Sequence, residues 1–241
     1  MRYVIFGDSF ADKNFPNNAH LDKRWSNLLD FPSKSYALYG SSIWYSIDKF
    51  FNYINSSNYN ETDRIIFLCT HWSRAITYTD NNFPQEHWRI STPVVKNPKT
   101  EFEKYQYKNK DAFKYISNNI ITNSMITNVV NMLESYLNNL KNDTLFLPCY
   151  TLDEEELLGS ERTNNFSLAE VSRREFKSTQ EMRKTFDTST DLRANHLNFE
   201  NHKILANLIV EFFKTLDKSI FNIESFNKTS LTQKKYMEIY T

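Results

Sequence analysis

Four apolar residues, Tyr3-Val4-Ile5-Phe6, run without a polar interruption into Gly7-Asp8-Ser9. An unbroken apolar run that stops at a turn signal marks a strand buried on both faces, the kind found in parallel sheets covered by helices. The pattern recurs at Arg64-Ile65-Ile66-Phe67-Leu68-Cys69 and at Asp143-Thr144-Leu145-Phe146-Leu147-Pro148, and a further strand is expected over Ser35-Tyr36-Ala37-Leu38-Tyr39. Between and after these runs the apolar spacing becomes helical. Ile43, Trp44, Ile47, Phe50, Phe51 and Ile54 share one face, as do Ile204, Leu205, Leu208, Ile209, Phe212, Phe213 and Leu216. Residues 112–140 carry the longest helical pattern, with a break expected near Asn123 or Ser124, and a short helix is expected around Trp25, Leu28 and Leu29 before Pro32. Strands alternating with helices predict an α/β fold with a mostly parallel central sheet.

Glycine is scarce, with only 3 in 241 residues: Gly7, Gly40 and Gly159. Each is expected to meet a backbone need. Gly7 lets the chain turn at the end of the first strand and puts Ser9 at its carboxyl end, where open α/β sheets bind ligands. A hydroxyl held there becomes a nucleophile when a base reaches it. Gly40 follows the second strand and precedes a helix that Ser41 or Ser42 can cap, so its N–H suits a developing oxyanion. His196 lies in the loop before the last amphipathic helix, for which Asn198 is an N-cap. His202, inside that helix, is read as structural or surface.

Together, Gly7-Asp8-Ser9, the strand-Gly40-helix unit and His196 followed by a helix bearing Ala206 resemble the ordered blocks of the SGNH (GDSL) hydrolase superfamily. The resemblance covers most of the chain by order of blocks. It implies a three-layer α/β/α sandwich of flavodoxin-like type and an acyl- or acetyl-esterase activity. Ser9 would be the nucleophile, His196 the general base, and the N–H groups of Ser9 and Gly40 oxyanion donors. No cofactor or metal is implied. Two departures stand out. The third block, where the family carries Gly-x-Asn-Asp, reads Thr70-His71-Trp72-Ser73-Arg74 here, so Thr70, His71 or Ser73 would have to supply the third donor. The family's Asp, three residues before the His, is replaced by Arg193. Asp191 is the nearest carboxylate and reaches the imidazole only if the loop bulges; otherwise a backbone carbonyl would orient the ring in a Ser–His dyad. These departures keep open a second reading, a catalytically silent SGNH-like module that binds carbohydrate or has a structural role. A nucleotide-binding domain is disfavoured, because three glycines cannot build a phosphate loop.

Composition bounds the rest. Lys+Arg and Asp+Glu balance at 29 each, so no basic excess points to nucleic acid. Cys69 and Cys149 end apolar strands and are expected as buried thiols, not a disulfide framework. With neither a membrane-spanning apolar stretch nor a signal-peptide pattern, a cytoplasmic location is expected. One domain over residues 1–216 is expected, with insertions near 77–111 and 151–190 and a polar tail over 217–241 that packs on the body, on a neighbouring subunit, or on nothing. The expected partner is a small-molecule, lipid or carbohydrate ester, and a homo-oligomer stays open.

Overall fold

The apolar runs assemble into one parallel sheet. The computed structural model describes residues 1–15, 20–70, 74–76, 87–89, 111, 123–149, 166–188 and 191–240, and the account below concerns these. Strands β1 (Tyr3–Phe6), β2 (Ser33–Ser35), β3 (Arg64–Cys69) and β6 (Thr144–Pro148) form a sheet in the order β2-β1-β3-β6, every pair parallel. Two short strands, β4 (Arg74–Ile76) and β5 (His87–Arg89), pair antiparallel as a separate ribbon. The helices are α1 (Ile43–Ile54), α2 (Asn123–Asn138), α3 (Leu168–Arg174), α4 (Thr179–Thr188), α5 (Phe199–Thr215) and α6 (Gln233–Tyr240). The chain is thus an α/β protein.

Strand side chains alternate between two cores, as period-2 geometry requires. Val4, Phe6, Ile65 and Phe67 pack with Ile43, Phe50 and Tyr53 of α1 and with Val130, Leu133 and Leu137 of α2. Tyr3, Ile5, Ile66, Leu68, Leu145 and Leu147 pack with Leu205, Ala206, Ile209, Phe212 and Phe213 of α5. Register aligns Phe6 with Phe67 and Phe67 with Phe146, and the rings stack across three strands at centroid distances of 6.1 and 5.9 Å. Such pairs add about 0.5–1.5 kcal/mol each beyond the area they bury.

Several elements differ from the sequence expectation. The second strand is Ser33–Ser35, not 35–39. Past Ser35 the chain leaves regular pairing but stays tied to β1, through Tyr36 N to Ile5 O (2.8 Å) and Leu38 N to Gly7 O (3.2 Å). Ser35 Oγ donates to the Ala11 carbonyl at 2.9 Å, which draws this edge towards the turn after β1. Around Trp25 the chain forms two 3-10 turns, Leu21–Lys23 and Trp25–Asn27, in place of a helix. The reason is burial: the Trp25 indole is enclosed, and its Nε1 donates to the Phe10 carbonyl at 2.8 Å. The long helical pattern is described from Asn123 onwards; residues 112–122 and most of 77–111 lie outside the described residues. Within 151–190, α3 and α4 are described and 151–165 are not. The tail packs on the body: Phe221 and Phe226 join the core, while Leu231, Tyr236 and Tyr240 pack with Phe176, Leu192 and Phe199. Among the described residues no helix is long and apolar enough to cross a membrane.

Gly7 has no room for a side chain. Its φ is +153°, and a Cβ there would lie 2.7 Å from the Leu68 Cβ on the neighbouring strand. Neither backbone can yield, because β1 and β3 are locked in register. Gly7→Ala is therefore expected to cost about 3 kcal/mol of unfolding free energy, read from urea denaturation. An unchanged midpoint would show that the turn relaxes.

Candidate active site

The first turn presents Ser9. Asp8 O accepts hydrogen bonds from Ala11 N and Asp12 N, both at 2.9 Å, and Asp8 Oδ1 accepts from Phe10 N at 3.1 Å. These bonds wind the chain tightly just past β1. Ser9 is almost fully buried, and its Oγ lies 2.8 Å from His196 Nε2. The other ring nitrogen, Nδ1, lies 3.1 Å from Asp191 Oδ2. The imidazole sits against Phe10 and Phe15, with ring centroids at 5.0 and 4.8 Å. Early hydroxyl and late imidazole thus meet at the carboxyl edge of the sheet, and a carboxylate completes the line.

The loop carrying His196 does bulge. Residues Ala194–His196 form a 3-10 turn in which Asn195 (φ 46°) and His196 (φ 61°) both adopt positive φ. Asn tolerates this region better than most residues. The Asn195 side chain also holds it there, since Nδ2 donates to Ser9 O and to Asp12 O, each at 2.9 Å. One amide therefore joins the His196 loop to the Ser9 turn. A second tie runs through α5. His202 is fully buried; its Nε2–H donates to Ala194 O at 2.5 Å, and its Nδ1 accepts from Trp25 N at 3.2 Å. Burial pushes the His202 imidazole down to about 3, so it stays neutral.

Arg193 explains itself in the structure. It is fully buried and grips Asp191 with two parallel bonds, Nε to Oδ1 (3.0 Å) and Nη2 to Oδ2 (2.7 Å). Its remaining N–H groups reach Ser172 O (3.1 Å), Ser172 Oγ (2.8 Å) and Glu175 Oε2. Asp191 Oδ1 accepts further bonds from Arg193 N at 3.1 Å and from the Tyr236 hydroxyl at 3.3 Å. Burial works against the Asp191 carboxylate. The Arg193 charge and the His196 contact outweigh burial and hold the carboxyl well below the usual carboxylate range.

The turn bearing Gly40 is pinned beside the turn that carries Ser9. Ser41 Oγ donates to Gly7 O at 3.1 Å and Tyr39 N donates to Asp12 Oδ2 at 2.8 Å. Gly40 has φ +72° and open space where a Cβ would stand. Among the described residues, the N–H groups of Ser9 and Gly40 make no hydrogen bond. Ser42 caps α1 by accepting from Tyr45 N at 3.3 Å. His71 and Ser73 lie outside the described residues. Thr70 is described and buried, and its hydroxyl has no partner among the described residues. Ser9 and Thr70 each lie three residues past the paired Phe6 and Phe67, so the hydroxyl belongs to the same sheet edge.

The structure thus brings Ser9, His196 and Asp191 into contact and ties the Gly40 turn to them. Sequence reasoning missed Asn195, Glu175, Tyr236 and the role of Arg193. No local signal marks Glu175 or Tyr236, whose contacts span 18 and 45 residues. Among the described residues no three His, Cys, Asp or Glu side chains converge as a metal site. Chemically, the hydroxyl–imidazole–carboxylate line can move a proton off Ser9 while the carboxylate steadies the imidazolium. No family model, no curated protein and no solved structure matches the chain.

Proposed function

We propose that the protein is a serine ester hydrolase of the SGNH (GDSL) type, cleaving an acyl or acetyl ester. The observation that carries this reading is the unbroken contact line from Ser9 Oγ through His196 to Asp191, at 2.8 and 3.1 Å. The two cores, on opposite faces of one parallel sheet, support the three-layer α/β/α sandwich that goes with it. In the reaction, Ser9 Oγ attacks the ester carbonyl as His196 Nε2 takes its proton, and the leaving alcohol then receives that proton. Water, activated by the same imidazole, releases the acid from Ser9. The free N–H groups of Ser9 and Gly40 are suited to the oxyanion, each such donor being worth about 3 kcal/mol in the transition state. The Thr70 hydroxyl is a third candidate donor.

The catalytically silent alternative drew on Arg193 standing where the family carries Asp. The contact between Asp191 and His196 weakens that ground. A fluorophosphonate probe tests the reading directly. Incubation followed by peptide mapping is expected to find the adduct on Ser9. A folded protein that stays unlabelled, or is labelled elsewhere, overturns the proposal and returns the silent module to first place.

A further inference from the structure

We propose that Glu175 is a positioning residue of this site, acting through Arg193 so that the ion group behind His196 carries one net negative charge. The inference rests on the reading of Ser9 and His196 as nucleophile and base. A guanidinium bonded to both oxygens of Asp191 makes a neutral pair. A neutral pair behind an imidazole does little to steady an imidazolium, which is the carboxylate's task in such a line. Glu175 restores the missing charge. It is fully buried, its Oε2 accepts from Arg193 Nη1, and both its oxygens accept from Asn198 N at 2.9 and 3.0 Å. Asn201 Nδ2 donates to Oε1 at 2.8 Å. Burial pushes the Glu175 carboxyl upwards, against the Arg193 charge and the Asn198 and Asn201 bonds; every partner of its two oxygens is a donor, so the geometry is that of an ionised carboxylate and not of a carboxylic acid.

The surroundings leave Glu175 as the group that sets the balance. From α6, Tyr236 and Tyr240 face the cluster, and burial pushes both hydroxyls upwards, so they stay neutral. From α5, His202 is held neutral by burial. Arg24 lies farther round, its Nη1 donating to the Asp12 and Lys13 carbonyls. Asp8 and Asp12 belong to the nucleophile turn and accept bonds from its backbone and from Tyr39 N. Buried at the end of α3 and against the start of α5, the Glu175–Arg193 contact is also what lets an arginine stand at position 193 without cancelling Asp191.

The test is the titration of the His196 ring by NMR in unreacted protein, assigned by its loss in His196→Gln. Glu175→Gln is expected to lower the His196 midpoint by about one pH unit, the size of a unit charge on the order of 10 Å away at an effective dielectric of about 20. Glu175→Asp, which keeps the charge, is expected to restore the midpoint. A folded Glu175→Gln protein with the parent midpoint overturns the inference, because a purely structural Glu175 would not move it. Should Glu175→Gln not fold, the double variant Glu175→Met with Arg193→Met decides. Apolar replacement of both ions is often tolerated and again leaves Asp191 alone at one negative charge. An unchanged midpoint then supports the inference and a shift of a unit or more sinks it. Since the titration needs no turnover, a midpoint shift without a fluorophosphonate adduct keeps the ion group and rejects the hydrolase. An adduct on Ser9 without a shift does the reverse.

Discussion

Asp191→Asn is expected to lower ester turnover about 10⁴-fold at neutral pH while the Michaelis constant changes little. The size follows from where the amide would have to point. Asp191 Oδ1 accepts from Arg193 N, Arg193 Nε and the Tyr236 hydroxyl. Three donors there keep the amide oxygen on that side and turn its NH2 towards Arg193 Nη2 and His196 Nδ1. An NH2 can only donate to Nδ1. The imidazole must then carry its proton on Nε2, the nitrogen 2.8 Å from Ser9 Oγ, and can no longer accept the hydroxyl proton. The substitution thus installs the wrong tautomer and leaves the ring in position. Arg193 Nη2 loses its Oδ2 acceptor at a cost of about 1–3 kcal/mol, but it retains Ser172 Oγ, and Nη1 retains Glu175 and Ser172 O, so the fold is expected to survive at reduced stability, which near-ultraviolet circular dichroism checks. Activity on a p-nitrophenyl ester is the measurement. A loss of tenfold or less would mean that Asp191 does not set the tautomer, and the site would be a Ser–His dyad oriented by other means.

The parts of this molecule that the sequence shows are those governed by short-range rules. The apolar runs of β1, β3 and β6 declare a buried parallel sheet because nothing but two covered faces tolerates Tyr3-Val4-Ile5-Phe6 in a row. Gly7 and Ser9 are legible because a turn must follow such a strand, and His196 because a capped helix must begin soon after it. Asp191 was harder. Five residues of separation say nothing about reach; the contact depends on consecutive positive φ values at Asn195 and His196, stabilised by an Asn195 amide bonded 186 residues away. Arg193 reads as a departure in the sequence because its buried partners come from packing between α3, the His196 loop and the start of α5. Tyr236 illustrates the same limit: the tail was compatible with several fates, and only assembly puts its hydroxyl on Asp191. β2 was displaced because an edge strand is set as much by what pulls on it, here Ser35 to Ala11, as by its own propensity.

Acid is expected to unfold the protein through His202, with a loss of up to about 5 kcal/mol between pH 6.5 and 3. The sign follows from proton counting. In the folded chain burial holds the His202 imidazole down at about 3, with Arg24 and Arg193 nearby opposing a further positive charge. In the unfolded chain it titrates near its ordinary value of about 6.5. Between those values the unfolded state binds a proton that the folded state refuses, so stability is fully present above the unfolded value and drains away as pH falls. The slope approaches about 1.4 kcal/mol per pH unit once the unfolded imidazole is fully charged. Asp191 adds to the loss only below the ordinary carboxylate range, because its folded pKa is depressed. Urea unfolding from pH 7 to 4.5 reads the slope. His202→Gln, which can still accept from Trp25 N and donate to Ala194 O, is expected to flatten it by one proton; equal slopes in the two proteins would reject His202 as the cause. The site is drawn into this because the histidine carries a load between its two halves. Protonated Nδ1 can no longer accept from Trp25 N, and Trp25 is the residue whose indole holds the Phe10 carbonyl beside Ser9. His202→Gln is therefore expected to move the acid unfolding transition to lower pH, read by circular dichroism and not by activity, since activity also requires His196 Nε2 free to accept the Ser9 proton.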